Sequence, residues 1–217
     1  MMAKGPGPRA AAVVLSLSLS APALAHGPGG HGAPSAPRSG GDASSAARSV
    51  PLRLDESEQR RYFTDLALVT QDGREVRFYT DLLKGRIVLI SFFYTNCTDV
   101  CPILMPNLGE VQRLLGDRFG RDVFFVSISV DPEDDTPEAI KEYAERFGAR
   151  PGWTLLTGKR EHIDRIVDRL GQQAADFEDH SLLFLLGDVR NARWRKVRGD
   201  SPPELVAAAL LDLLERK

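Results

Sequence analysis

From about Pro51 onward the chain alternates between short apolar runs and segments whose apolar residues recur every three or four positions. The runs "RIVLISFFY" (86–94) and "DVFFVSISV" (122–130) are continuous and rich in β-branched and aromatic residues. That pattern predicts strands covered on both faces. Between them Leu104, Leu108, Val111 and Leu115 recur at helical steps, with Pro106 inside the pattern as an expected early kink. Further along, "DDTPEAIKEYAERFG" offers Thr136 as a cap, Pro137 as a first helical residue and Gly148 as a stop. A strand "WTLLTG", a helix "EHIDRIVDRLG", a strand pair "SLLFLLGD" and "ARWRKVRG", and a closing helix "PPELVAAALLDLLERK" follow. Upstream, "DLALVT" and "REVRFY" flank Gln71-Asp72-Gly73, a hairpin signal in which glycine supplies positive φ.

Strands alternating with helices, then a hairpin and a last helix, predict an α/β domain with a mixed central sheet flanked by helices. A thioredoxin-like fold fits this order. The domain is expected over residues 51–217, with no internal repeat.

The amino-terminal quarter has a different pattern. Lys4 and Arg9 precede the apolar stretch "AAAVVLSLSLSAPALA", which ends in Ala23-Leu24-Ala25. This reads as a secretory signal over residues 1–25, cleaved after Ala25. The stretch is shorter than the ~20 residues that span a bilayer, so an uncleaved anchor is the alternative, and the mature chain carries no membrane span if the signal is removed. Residues 26–50, Gly/Ala/Ser/Pro-rich with Val50 as the single large aliphatic residue, read as a flexible tether. Export implies a periplasmic or otherwise extracytoplasmic, oxidising compartment.

Composition narrows the function classes. With 42% hydrophobic residues, 27% charged residues and a formal charge of −2, the chain lacks the basic surplus that drives binding to phosphate backbones. Nucleic acid is therefore not an expected partner.

Both cysteines of the chain stand in "SFFYTNCTDVCPILMPNL", at Cys97 and Cys101, just past a predicted central strand and just before Pro102. A helix amino terminus favours thiolate, the form that attacks disulfides and binds metal. Three intervening residues, one more than in thioredoxin-type pairs, let both sulfurs address one outside atom. Two soft donors suit copper, Cu(I) first and Cu(II) as a further state, whereas zinc would want four ligands. Rival readings are a structural disulfide, which closes too short a loop to stabilise much; a peroxidatic loop at Thr98–Cys101, in which Tyr94 stands where a proline would be needed; and a thiol-disulfide oxidoreductase with Cys97 and Cys101 as catalytic residues. The last commonly has a proline beside its site, and no proline occurs from Gly152 to Ser201.

A third ligand would come from elsewhere. His26 and His31 lie on the tether, where a free amino terminus at His26 offers a weak Cu(II) site as a secondary hypothesis. His162 reads as a surface position beside the apolar line Ile163, Ile166, Val167 and Leu170. His180 stands in "DFEDHSLLFLLGD", before an apolar strand and in a loop able to approach the cysteines. Met105 reads as core, Trp153 and Trp194 as packing residues, Asp99 as a loop acid, and Asp131 with Pro132 as the border of the site, Asp131 being expected to hydrogen-bond the cysteine loop.

The elements "FFYTNCTDVCP", "VSISVDPEDDTPEAIKEYAERFG", "WTLLTG" and "DHSLLFLLGD", in this order and over nearly the whole domain, resemble the Sco/SenC family. The resemblance implies a thioredoxin-like fold and copper bound by the cysteines of Cys-x-x-x-Cys-Pro and a distal histidine, here Cys97, Cys101 and His180. It also implies a partner, an apo copper-site protein such as cytochrome c oxidase subunit II, served by copper delivery or by reduction of its thiols.

Overall fold

The computed structural model describes residues 55–98, 101–172 and 183–216; the leader and tether read from the sequence, and the positions Asp99 and His180, lie outside the described residues. Asp55 caps helix α1 (Glu56–Phe63), its carboxylate accepting from the Glu58 amide while the Glu58 carboxylate accepts from the Asp55 amide. This reciprocal capping box starts a helix that the apolar pattern does not reveal, because only Gln59 and Phe63 are buried on it.

Strands β1 (Ala67–Thr70) and β2 (Glu75–Arg77) form the expected antiparallel hairpin, with Gly73 at φ +72° in its turn. Phe78 and Tyr79 do not extend β2 as the sequence pattern predicts. They open a π-helical segment (Phe78–Leu83) whose coiling sinks Phe78, Tyr79, Leu82 and Leu83 into the core.

Then follow β3 (Ile87–Phe93), α2 (Cys101–Leu115), β4 (Val123–Ser129), α3 (Pro137–Arg146), β5 (Trp153–Thr157), α4 (Arg160–Arg169), β6 (Leu183–Asp188), β7 (Arg193–Arg198) and α5 (Pro203–Glu215). Helix α2 runs through Pro106 for its full fifteen residues, forfeiting only the bond that position's amide would make one turn back. Thr136 caps α3 by accepting from the Ala139 amide, as its sequence predicts.

The seven strands lie in the order β2-β1-β5-β4-β3-β6-β7. β3 and β5 run parallel to β4, while the other pairings are antiparallel, giving the expected mixed sheet. Every residue of β3 is buried, and its alternation divides the core in two. Ile87, Leu89 and Phe93 face α2, α3 and α5; Val88, Ile90 and Phe92 face α1, the π-helical segment and α4. A continuous apolar run is required because both faces are covered.

Three polar side chains inside the sheet form a hydrogen-bonded chain. Trp153 Nε1 donates to Ser127 Oγ at 2.8 Å, and Ser127 lies 2.7 Å from Ser91 Oγ on the adjacent strand. Trp194 packs on Phe63 at 5.2 Å between ring centroids and covers Gly187, its register partner on β6. Both tryptophans are thus packing residues, as read from the sequence.

Candidate metal centre

β3 delivers the chain to the site at its carboxyl end. The Cys97 amide donates to the Tyr94 carbonyl at 3.2 Å, closing a four-residue turn. Asp135 holds this turn from the β4–α3 loop: its carboxylate accepts from the Thr95 amide at 3.1 Å, the Thr95 hydroxyl at 2.5 Å and the Ser129 hydroxyl at 2.5 Å. It is 1% exposed, and three donors compensate the burial of its oxygens. The sequence pattern points to Asp131 for this role. Asp131 instead faces outward toward Arg160 at 3.6 Å, and burial and the Asp134 and Asp135 carboxylates push its own carboxyl up. The two acids lie four residues apart in one loop, and only the loop's path decides which turns inward.

Cys101 is the first residue of α2 and its amide donates to Cys97 Sγ at 3.3 Å. The helix amino terminus therefore addresses the sulfur of Cys97, four residues earlier, rather than that of its own first residue. Burial, with the hydrogen bond from Cys97 behind it, pushes the Cys101 thiol up to about 12. The thiolate preference that the sequence implies for the pair therefore does not extend to Cys101: at 2% exposure, desolvation disfavours its charged form. The Tyr94 amide and the Tyr143 hydroxyl act in the opposite sense, both bonding to the Cys101 sulfur.

Tyr143, on α3, was not singled out by the sequence. Its ring stacks on Phe93 at 5.2 Å and meets Phe147 edge-on at 4.9 Å. Burial, then the two sulfurs, push its hydroxyl up, so it stays protonated as a donor. Cys97 and Cys101 form no disulfide and their side chains are in hydrogen-bond contact, and Cys97 is 9% exposed. Two adjoining sulfurs with three neighbouring donors make a soft, pre-aligned pair that suits a soft ion. A peroxide, in contrast, would have to reach the better-buried sulfur in its thiol form.

The other sequence candidates separate cleanly. His162 is half-buried rather than a surface residue, with Nδ1 2.8 Å from the Ala67 carbonyl oxygen. It stands on α4, whose apolar residues pack against the opposite face of the sheet from the cysteines, and so is no partner for them. Met105 is 1% exposed in the core, as expected. Among the described residues no group of three or more His, Cys, Asp or Glu side chains could hold a metal ion, and His180, like Asp99, His26 and His31, is outside them.

A family model described as SCO1/SenC matches residues 55–215. The chain belongs to the SCO1/SenC family. An SCO2-like protein of Rickettsia conorii is 37% identical over 105 residues, covering 48% of this chain and 49% of that protein; the SCO1/SenC chain thus spans about half the length of the first curated relatives it matches. The crystal structure of a SCO1/SenC family lipoprotein from Bacillus anthracis is similar with a TM-score of 0.60 and 31% identity, over 69% of this chain and 93% of that one. The structure of Bradyrhizobium japonicum ScoI with copper bound is similar with a TM-score of 0.56 and 33% identity, over 68% and 96% of the two chains. The fold is therefore the mixed α/β, thioredoxin-like architecture of Sco proteins. No helix among the described residues is long and apolar enough to cross a membrane.

Proposed function

We propose that this SCO1/SenC chain is an exported copper carrier whose cargo is held by Cys97, Cys101 and His180. The observation that carries the reading is the contact of two thiols, not joined in a disulfide, at a strand-to-helix turn, in a chain whose aligned part is 33% identical to a Sco protein solved with copper bound. Cu(I) suits the sulfur pair best, with Cu(II) as a second state. The task implied by the family resemblance is assembly of a respiratory copper site, the binuclear centre of cytochrome c oxidase subunit II. Few ligands favour release: an acceptor donor enters as one of the carrier's own leaves.

Titration of the reduced full chain with copper tests this. About one copper per chain is expected, abolished by Cys97→Ala or Cys101→Ala and strongly weakened by His180→Ala. Unaltered binding in His180→Ala removes that ligand from the set, and absence of binding in the wild type removes the carrier reading.

A second reading draws on the same contact between thiols. Cys97 and Cys101 would reduce a disulfide of a copper-site protein, their two thiols becoming one disulfide as two acceptor thiols form. His180→Ala should leave that exchange intact, while either cysteine substitution abolishes it.

A further inference from the structure

The end of the sheet remote from the cysteines carries a cleft of 710 Å³ rimmed by Lys84, Arg86, Arg118, Arg121 and Arg190. Its remaining lining includes the carboxylates of Asp122 and Glu215 and the apolar side chains of Phe124, Leu211 and Leu214. Five cations against two carboxylates form a local positive field in a chain whose formal charge is −2.

Lys84 is paired with Glu56 at 2.6 Å, but the four arginines are under-compensated. Arg118 and Arg121 share one carboxylate, Asp122, at 3.1 and 3.0 Å. Arg190 reaches Asp188 only at 3.8 Å, and that carboxylate is already bound by Arg193 at 2.7 Å. Arg86 is half-buried, with its guanidinium 4.6 Å from the centroid of the Phe124 ring and a bond to the Leu82 carbonyl. Arg86 forms no direct ion pair among the described residues; burial holds its guanidinium below the usual range, and the Asp81 carboxylate opposes this only from a distance. A partly desolvated cation without a counter-ion gains most from an anion brought to it.

Position adds the second argument. Arg86 precedes the first residue of β3, whereas Cys97 follows its last by four, so the cleft and the thiols stand about 20 Å apart along the strand. An anionic surface held at the cleft leaves the cysteine loop pointing away from it, open to a partner. The part-exposed Leu211 and Leu214 of α5 lie beside the cations, a combination that fits an amphiphile better than a small hydrated ion.

We propose that this cleft docks the domain on an anionic phospholipid surface through the headgroup phosphates, orienting the thiols away from the membrane. Arginine forks match phosphate oxygens in pairs, and attraction of clustered basic residues to anionic headgroups falls off within a Debye length. The inference is independent of the copper reading.

Flotation of the full chain with vesicles of phosphatidylglycerol mixed into phosphatidylcholine, against phosphatidylcholine alone, tests it. Binding should rise with the anionic lipid and fall with salt, and the Arg118→Gln/Arg121→Gln/Arg190→Gln triple variant should lose on the order of 100-fold of the anionic increment. The three side chains are exposed, and an unchanged melting temperature shows that the variant is folded. Arg86→Gln, tested separately, should lower the same increment about five-fold. Equal binding to both vesicle types, or an anionic increment untouched in the triple variant, overturns the proposal. So does saturation by inorganic phosphate alone without vesicle binding, which would make the cleft a site for a free oxyanion.

Discussion

The carboxylate of Asp135 grips Thr95 by both its amide, at 3.1 Å, and its hydroxyl, at 2.5 Å, across forty residues of sequence. Thr95 stands two positions before Cys97, so this pair ties the cysteine turn to the loop leaving the neighbouring strand β4. Ser129, at the end of β4, completes the clasp. The position of the first sulfur is thus set by a strand on which no sulfur lies.

Asp135→Asn should therefore act on stability and site together. Replacing a buried charged acceptor of three bonds costs about 2–3 kcal/mol, read as a lowered midpoint in thermal or denaturant unfolding. Copper affinity should fall as well, because the Thr95–Cys97 turn loses its clasp. Asp131→Asn, four residues earlier, should change both little; a larger effect at Asp131 than at Asp135 would contradict the observed inward side chain.

Tyr143→Phe isolates the hydroxyl that bonds the Cys101 sulfur. The ring contacts with Phe93 and Phe147 are retained, so the fold should lose only about 1 kcal/mol. With one donor removed, the Cys101 thiolate becomes still less accessible. Alkylation of Cys101 at a fixed mildly alkaline pH, followed by peptide mass spectrometry, should slow several-fold while labelling of Cys97 changes less. Faster labelling of Cys101 would mean that the hydroxyl shields the sulfur instead of favouring its charge.

Gly187→Ala probes the face where Trp194 crosses β6. A Cβ at this glycine would sit 2.4 Å from Trp194 Cζ3 and 2.5 Å from its Cη2. The rigid ring must move, and an overpacked site of this kind costs ~1–3 kcal/mol. A lower unfolding midpoint with a shifted tryptophan emission is expected, and copper binding should persist because the cysteines pack on the other face. An unchanged midpoint would show that Trp194 yields without loss.

The acid limb of stability should carry a contribution from Asp188. This carboxylate is 1% exposed. Burial alone would raise its pKa, but the bonds from Asn191 and Arg193 outweigh it and hold the group below its ordinary value. A carboxyl lowered in the folded state stabilises the fold above the unfolded value, near pH 4, and that stabilisation is lost as pH falls through the lower, folded value. Asp188→Asn should cost about 2 kcal/mol at pH 7 and flatten the decline below pH 4, measured as unfolding free energy against pH. A parallel decline in both proteins would place the acid sensitivity elsewhere.

What the sequence determined by itself is what neighbouring residues decide among themselves. Continuous apolar runs required both faces of β3 and β4 to be covered; Thr136-Pro137 and Gly73 set a helix start and a turn through local backbone preferences; and the spacing of Cys97 and Cys101 placed two soft donors at one strand-to-helix turn. The first helix escaped this reading because its capping box is polar and its buried face narrow, and the π-helical segment escaped because an aromatic pair fits a strand equally well. Tertiary structure alone decided that Asp135 rather than Asp131 holds the cysteine loop, that Tyr143 reaches Cys101 from forty-two positions away, and that Arg86, Arg118 and Arg190 gather at one end of a chain with no net basic surplus. It also decided that the helix amino terminus meets the Cys97 sulfur while Cys101 is desolvated. The physical reason is the same in each case: burial, charge pairing and hydrogen-bond partners depend on which distant segments pack together, and desolvation by those segments can exceed the field of the helix on which a residue sits.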